Sequence, residues 1–283
     1  MHIELDSKKG TGDTNYRVNT KYVIRLAFIS ALGGYLFGFD FAVIAGALPF
    51  LQEHFGLNSY WEGFATGSLA LGAIVGCLAA GFLSNKAGRK PAMQLAAAIF
   101  ALSSLSMALS SSRDMFLWSR FAAGIGVGMA SMLSPMYIAE ISTASIRGRL
   151  VALNQLTVVL GILVTNVINY LLRNQGDDAW RWMFGLGFVP SLLFFIGAFF
   201  LPESPRWLFS KGNKEQAKNV LTKMGDDQFT DNALQQLANS LNHSASSSNK
   251  NIFKKGIFGA VLIGITLAAL QQLCGINTVF NYA

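Results

Sequence analysis

The chain has 283 residues, of which 52% are hydrophobic and 13% are charged. A typical soluble domain carries about 25% charged residues, so this composition argues against a soluble globular protein and predicts one that crosses a membrane. The formal net charge of +7 does not imply a nucleic-acid partner, because the lysines and arginines are concentrated in alternate connections between apolar segments.

Seven apolar segments, taken in chain order, are predicted to cross a lipid bilayer as helices. A hydrocarbon layer of about 30 Å requires roughly 20 apolar residues. The first segment is longer than the apolar core of a cleavable signal peptide, so it is predicted to remain in the protein. The predicted spans are Tyr22–Leu51, Gly63–Ser84, Pro91–Ser111, Met115–Ala139, Val151–Leu172, Trp182–Leu201 and Gly256–Ala283.

The positions of the basic residues predict the orientation. Of the 22 lysines and arginines, 18 lie near the amino terminus or in the connections between spans 2 and 3, 4 and 5, and 6 and 7. Cytoplasmic loops carry an excess of Lys and Arg, so we expect a multi-pass protein of the cell membrane with a cytoplasmic amino terminus. The expected parts are a cytoplasmic tail at 1–21, a six-helix bundle at 22–201, a cytoplasmic helical loop and linker at 202–255, and a seventh membrane helix at 256–283.

The connection between spans 6 and 7 is long and has two parts. Its second part, Asn239–Asn251, is rich in Ser and Asn and is predicted to be a flexible linker. Its first part has the apolar spacing of amphipathic helices, at Trp207, Leu208, Ala217, Val220, Leu221 and Met224.

The order of the segments predicts the fold class. Six spans, a large loop and a seventh span are typical of a transporter with two six-helix halves, in which spans 1–3 and 4–6 are inverted repeats. The prediction is therefore an all-α membrane protein, and we expect most of its carboxy-terminal half to be missing from this chain. Gly72 and Gly76 in span 2, and Gly124, Gly126 and Gly128 in span 4, are interpreted as close helix contacts, because a dinucleotide loop needs a preceding strand.

Two charged residues lie well inside predicted spans, away from the span ends: Asp40 in span 1 and Arg120 in span 4. A charge at the centre of a membrane helix costs about 2.5–3.5 kcal/mol on insertion scales, which makes each a functional candidate. Their distances along the helices, about 24 Å and about 9 Å from opposite membrane faces, place them at one depth. The pair is either a static link between helices or a switch that a proton makes and breaks.

Amide side chains lie in otherwise apolar spans. Gln155, Asn166 and Asn169 fall within about 60° of one another on a helix, and span 7 contains Gln271, Gln272 and Asn277. Amides offer both donors and acceptors, which suits a neutral polyhydroxylated ligand, although hydrogen bonds between helices are the alternative. No cofactor, metal site or catalytic residue is expected, because the cysteines lack ligand spacing and the histidines are scattered.

A set of short motifs also follows a fixed order along the chain. The motifs are Gly34–Asp40, Gly88–Lys90, Arg120 with the following glycines, Tyr137–Glu140, Arg147–Arg149, Pro202–Leu208 and Gln271–Asn277. This ordered set resembles the sugar porter branch of the major facilitator superfamily over essentially the full length of the chain. The resemblance implies the major facilitator fold, of which this chain would form the amino-terminal six-helix half with its cytoplasmic helices and helix 7.

The resemblance also implies roles for individual residues. Asp40 and Arg120 match the coupling pair of proton symporters, whereas uniporters have a neutral residue in place of Asp40. The positions that hydrogen-bond the sugar are matched by Gln155, Gln271, Gln272 and Asn277. A cytoplasmic salt-bridge network that latches the inner gate is matched by Arg89, Glu140, Arg147, Glu203 and Arg206, and one acid usual in the 2–3 loop is replaced here by Asn85.

The function implied for the complete protein is transport of a monosaccharide or polyol by alternating access, with a proton as the coupled ion. A proton-independent facilitator is one alternative, and a non-transporting sugar sensor on the same scaffold is another. The expected partners are the sugar, the proton and the lipid bilayer. We expect no transport from this chain alone, because the other half would supply further sugar contacts and the second gate.

Overall fold

Eleven α-helices are found in residues 17–245 and 255–274, which are the residues described by this computed structural model. The helices are α1 Thr20–Phe55, α2 Ser59–Ala87, α3 Arg89–Ala108, α4 Arg113–Ile141, α5 Ala144–Leu172, α6 Ala179–Gly185, α7 Phe188–Phe200, α8 Pro205–Ser210, α9 Lys214–Met224, α10 Asp227–Ala245 and α11 Lys255–Leu273.

Six apolar helical segments in the described residues are long enough to cross a membrane, namely α1 to α5 and the combined α6–α7 segment. They confirm the first six predicted spans. Most of these helices extend beyond the apolar run that predicts them; α5, for example, begins at Ala144 rather than Val151. The seventh span is represented by α11, and residues 275–283 lie outside the described part of the chain.

The sixth span, predicted as one helix, is interrupted at Leu186 and Gly187. A side chain on Gly187 would lie 2.7 Å from the ring of Phe39 on α1 and 2.7 Å from the hydroxyl of Ser104 on α3. The absence of a side chain therefore lets the turn between α6 and α7 approach both helices closely. A hydropathy pattern does not reveal this interruption, because all the residues around it are apolar or glycine.

The helix contacts follow the predicted inverted repeat. The most extensive contacts are between α2 and α4 and between α1 and α5. If spans 1, 2 and 3 correspond to spans 4, 5 and 6, then the pair of spans 1 and 5 corresponds to the pair of spans 4 and 2. Spans 1 and 4 also contact each other directly, as do spans 3 and 6. Exchanging spans 1–3 with spans 4–6 therefore leaves this set of contacting spans unchanged.

Glycines allow both of the closest helix pairs to form. On α2, side chains added at Gly72 and Gly76 would collide with the carbonyl oxygens of Phe121 and Ile125 on α4. On α1, a side chain added at Gly38 would collide with the carbonyl of Val158 on α5 in the same way. These contacts agree with the interpretation of the span 2 glycines, since small residues let membrane helices pack backbone against backbone.

One end of the bundle, which we call the basic end, contains the start of α1, the α2–α3 and α4–α5 connections and helices α8 to α10. The segment before α1 is attached there to the α9–α10 turn. The backbone N–H of Asn19 donates to the carbonyl of Met224 at 2.8 Å, and the N–H of Arg17 donates to the carboxylate of Asp226 at 2.8 Å. These bonds hold the entry to the first span against the α8–α10 helices.

The prediction of a flexible linker from Asn239 is wrong for its first part, because α10 continues to Ala245. Leu234 and Leu237 on α10 pack against the apolar cluster formed by Leu208, Phe209 and Ala217. This burial stabilises a helix whose Ser and Asn content argues against one on local propensity alone. Residues 246–251 of the predicted linker lie outside the described residues.

We expect Gly76→Ala to destabilise the bundle by about 1–3 kcal/mol, because overpacking forces backbones apart. The matched control is Gly81→Ala on the same helix, where an added methyl group meets only the end of the Met132 side chain at 3.8 Å. The measurement is the midpoint of unfolding of the detergent-solubilised full-length protein in a denaturant series. Equal midpoints for the two variants would contradict the backbone contact at Gly76.

Candidate functional site

The two intramembrane charges meet in the centre of the bundle. A side-chain oxygen of Asp40 on α1 lies 3.4 Å from a terminal nitrogen of Arg120 on α4. Both residues have 0% of their surface exposed. Their contact agrees with the common depth expected from the sequence. It joins span 1 to span 4, the two spans that the predicted repeat makes equivalent.

Other helices also contact the Arg120 guanidinium. Its Nε donates a hydrogen bond of 2.9 Å to the carbonyl of Ala65 on α2, and its central carbon lies 5.5 Å from the ring centre of Phe184 on α6. By contrast, Oδ2 of Asp40 accepts no hydrogen bond from the described residues. Arg120 is therefore held by several groups, whereas Asp40 makes one long contact through one oxygen.

The amide side chains of α5 do not share one environment. Asn169 is buried and donates to the carbonyl of Ala42 on α1 at 3.1 Å, which is the structural alternative for an intramembrane amide. Gln155 and Asn166 are exposed on the surface of the bundle. Of the three amides on this stripe, these two remain available to a ligand, and only Gln155 is among the residues for which the resemblance implies a sugar contact.

The remaining sugar-binding candidates lie at the end of the described chain. Gln271 and Gln272 are residues of α11, but their side chains are outside what the structure describes, and so is the whole of Asn277. Their role in binding stays a prediction.

The basic end contains a second ion pair, between Arg89 at the start of α3 and Glu140 near the end of α4. Nε and Nη2 of Arg89 donate to the two carboxylate oxygens of Glu140 at 2.9 Å and 2.8 Å. Nη1 donates to the carbonyl of Ser84 at the end of α2 at 2.9 Å. This forked, charge-assisted geometry is stronger and more directional than a single hydrogen bond, so it fixes the ends of three helices relative to one another.

Glu203, in the turn after α7, binds the first turn of α3. Its two carboxylate oxygens accept the backbone N–H groups of Arg89 at 2.8 Å and Lys90 at 3.2 Å. A carboxylate suits this position because a helix amino terminus has free N–H groups and a partial positive charge. Burial raises the pKa of the Glu203 carboxyl above its ordinary value, while the N–H groups of Ser204, Arg89 and Lys90 and the Arg89 charge act to lower it.

Gly88 makes this arrangement possible in two ways. Its φ of 106° lies in the region that favours glycine, and a side chain there would collide with the carboxylate of Glu203. The approach is reciprocal, since the Lys90 ammonium donates to the carbonyl of Phe199 at the end of α7 at 2.7 Å. The start of α3 and the end of α7 therefore cap each other.

The predicted salt-bridge network is only partly present in the described residues. Of its five members, only Arg89 and Glu140 form a salt bridge there. Glu140 is bound by Arg89, whereas Arg147 has no ion pair with a described carboxylate and makes a 3.4 Å contact with the carbonyl of Ser142. Arg206 is exposed and has no ion pair with a described carboxylate.

Other residues of this cluster were not assigned roles from the sequence. The Tyr137 hydroxyl donates to the carbonyl of Pro202 at 2.8 Å, and the Trp207 indole N–H donates to the carbonyl of Asn85 at 3.1 Å. Together with Lys90, they use backbone carbonyls as acceptors. A sequence pattern of opposite charges cannot identify such contacts, although all three residues lie within the motifs that follow a fixed order.

The chain is similar to known sugar transporters in sequence. The family model described as "Sugar (and other) transporter" matches residues 26–283. The arabinose-proton symporter of Bacillus subtilis (strain 168) is 38% identical over 267 residues, covering 92% of this chain and 58% of that protein. The D-xylose-proton symporter of Escherichia coli (strain K12) is 36% identical over 302 residues, covering 95% of this chain and 61% of that protein.

The similarity extends to solved structures. The structure of a proton:xylose symporter of the major facilitator superfamily, bound to 6-bromo-6-deoxy-D-glucose, superposes with a TM-score of 0.85 at 35% identity. The alignment covers 92% of this chain and 61% of that one. The chain thus spans 58–61% of the length of these relatives and has the amino-terminal half of their fold.

We expect Glu140→Gln to loosen the basic end, because an amide accepts only one of the two N–H bonds that Arg89 now donates to the carboxylate. The buried Ser84 provides a reporter after Ser84→Cys substitution in a background without the native cysteines. In the detergent-solubilised full-length protein, maleimide labelling should accelerate by about tenfold, the factor that corresponds to about 1.4 kcal/mol.

The matched control for this experiment is Glu215→Gln. It makes the same change at an exposed acid of α9, so labelling of the reporter should change by less than about twofold, as for a surface substitution. Equal acceleration in the two variants would contradict the assignment of Glu140 as the acid that holds Arg89.

Proposed function

The chain belongs to the sugar transporter family, and on this premise we propose that it forms the amino-terminal half of a proton-coupled symporter for a monosaccharide or polyol. In this proposal, the basic end faces the cytoplasm, in keeping with the excess of Lys and Arg in its connections. The sugar binds near the membrane midplane between this half and the carboxy-terminal half, and the halves rock to expose it to either side.

The observation that carries the proposal of proton coupling is the single contact between Asp40 and Arg120. A proton on Asp40 would remove the charge that Arg120 contacts. The proton could bind Oδ2 of Asp40, which accepts no hydrogen bond from the described residues. Arg120 would keep its bond to Ala65 and its contact with Phe184. Protonation would therefore remove the charge attraction between α1 and α4. The guanidinium of Arg120 would still have partners on α2 and α6.

The proposed substrate class follows from the uncharged amides. Gln155 is exposed on α5 and can offer both a donor and an acceptor to a hydroxyl group. Gln271, Gln272 and Asn277 would approach the same ligand from the seventh membrane span. The two symporters named above are for different pentoses, so their names support a sugar without selecting one.

The contacts of the proposed latch that the structure describes lie within this half of the protein, not between the two halves. Arg89, Glu140 and Glu203 all belong to this half, and they tie the ends of α2, α3 and α4 to the turn before α8. We therefore propose that the cluster acts through helices α8 to α10, which lead to the second half. Arg147 and Arg206 have no ionic partner in the described residues, and we propose that Arg147 engages a group outside this part of the chain.

We expect Asp40→Asn to abolish sugar accumulation driven by a proton gradient, because an amide mimics the protonated acid and cannot release a proton. Exchange of sugar down its own gradient should survive, since the binding amides are unchanged. The measurement is sugar uptake into proteoliposomes that contain the full-length protein, with and without an imposed pH gradient.

The control for this variant is Asp114→Asn, which alters an exposed acid paired with Arg113 at 3.0 Å and should leave accumulation unchanged. Loss of folded protein in Asp40→Asn, rather than loss of coupling, would support a purely structural ion pair. A wild-type protein that ignores the gradient would instead indicate a proton-independent facilitator.

We expect Gln155→Ala to weaken sugar binding by about tenfold, in keeping with the loss of one or two hydrogen bonds to the ligand. Leu156→Ala, at the adjacent exposed position on α5, is the control and should bind normally. The measurement is equilibrium binding to the full-length protein at matched expression. An unchanged dissociation constant for the best substrate would remove Gln155 from the proposed site.

A further inference from the structure

A cavity of about 320 Å³ opens at the basic end, away from the buried ion pair. Its lining residues come from the end of α2 and the start of α3, from α8 and the residue after it, and from α10, and they include Asn85 and Arg206. Its volume is at the lower end of the range of about 300–1,000 Å³ that is typical of small-molecule sites. Gln155, the described residue that is proposed to contact the sugar, does not line this cavity.

The cavity is strongly basic. Arg89, Arg206 and Lys211 line it, and no Asp or Glu does among the residues that the structure describes. Glu140 neutralises Arg89 through the forked pair, but Arg206 and Lys211 form no ion pair with a described carboxylate. Two positive charges are therefore left without a counter-ion among the residues that the structure describes.

Hydrogen-bond donors accompany these charges. A guanidinium has five N–H groups, and Arg89 uses one each from Nε, Nη1 and Nη2, so a terminal N–H on each of Nη1 and Nη2 has no described acceptor. The Trp207 indole is fixed by its bond to the Asn85 carbonyl, and the Lys211 ammonium lies 5.9 Å from the centre of its ring. The walls thus combine charge, directional donors and an oriented aromatic face.

We propose that this cavity binds the phosphate group of a phosphate ester. Guanidinium groups match phosphate oxygens in forked pairs, and an ammonium adds a compact charge. Because its walls come from both the α2–α3 connection and helices α8 and α10, a bound phosphate ties these helices to the membrane bundle. The phosphate can come from a lipid headgroup, since α2 ends here, or from a soluble phosphate ester.

Two arms of one experiment separate these sources, both with the full-length protein. In the first, glucose 6-phosphate is titrated into delipidated protein in detergent and binding heat is measured, with glucose as the uncharged reference. In the second, the protein is reconstituted in nanodiscs that mix phosphatidylglycerol with phosphatidylcholine, and retained lipids are counted by native mass spectrometry. Saturable binding in the first arm identifies a soluble ester, and selective retention of phosphatidylglycerol in the second identifies a lipid.

Two variants test the site itself. Asn85→Asp preserves the shape of the side chain and leaves the backbone carbonyl that Trp207 uses, but it places a carboxylate beside the two free cations. Lys211→Gln removes one of those cations. Each should weaken phosphate binding by about tenfold or more, in keeping with the strength of charge-assisted hydrogen bonds. Lys218→Gln, which removes an exposed charge of α9 that does not line the cavity, should bind as the wild type does.

Absence of saturable binding in both arms would overturn the proposal. Binding that is equally strong in wild type, Asn85→Asp and Lys211→Gln would overturn it as well, since the phosphate would then be held elsewhere. Sugar transport is not the readout, so failure here leaves the proposed symport untouched. A failure of proton coupling would likewise leave this cavity untouched.

Discussion

The arrangement of the bundle depends on the burial of one guanidinium, that of Arg120. An arginine side chain stays protonated in proteins, so a fully buried one needs partners from other helices. Asp40, the carbonyl of Ala65 and the ring of Phe184 supply them from α1, α2 and α6. A buried charge that loses its counter-ion is strongly destabilising. The requirement therefore limits how far these three helices can move from α4 while Asp40 is ionised.

The glycine contacts show why this charge can be surrounded so closely. Gly72 and Gly76 bring α2 against α4 at backbone distance, and Gly38 brings α1 against α5 in the equivalent pair of the inverted repeat. Because the two pairs are exchanged by the repeat, the contact between spans 1 and 4 lies where the repeats meet. One repeat supplies the carboxylate of Asp40 and the other supplies the guanidinium of Arg120. The ion pair therefore links the two repeats.

The apolar runs and the intramembrane charges predicted most of the fold and the central pair, because bilayer thickness and burial constrain them directly. The interruption at Gly187 was not predicted, since it depends on the approach of Phe39 and Ser104 from distant parts of the chain. The ion pairing at the basic end also depends on contacts between distant parts of the chain. The charged residues of the predicted network do not indicate which acid pairs with which base. The position of Arg89 at the start of α3, where Glu203 binds its backbone N–H, determines its pairing with Glu140.

The two ion pairs differ in how much a proton could change them. Among the described residues, Asp40 makes one ionic contact, of 3.4 Å and through one oxygen, whereas both oxygens of Glu140 bind Arg89 at 2.9 Å and 2.8 Å. A ligand shifts an equilibrium between two conformations only by as much as its binding free energies for the two conformations differ. A proton on Asp40 replaces a single weak contact, so the two charge states differ mainly in whether α1 and α4 attract each other. The same proton on Glu140 would have to displace a forked pair that also positions the end of α2. Under the proposed proton coupling, the central pair is therefore the one suited to respond to the proton, and the pair at the basic end is suited to keep the ends of α2, α3 and α4 together during that response.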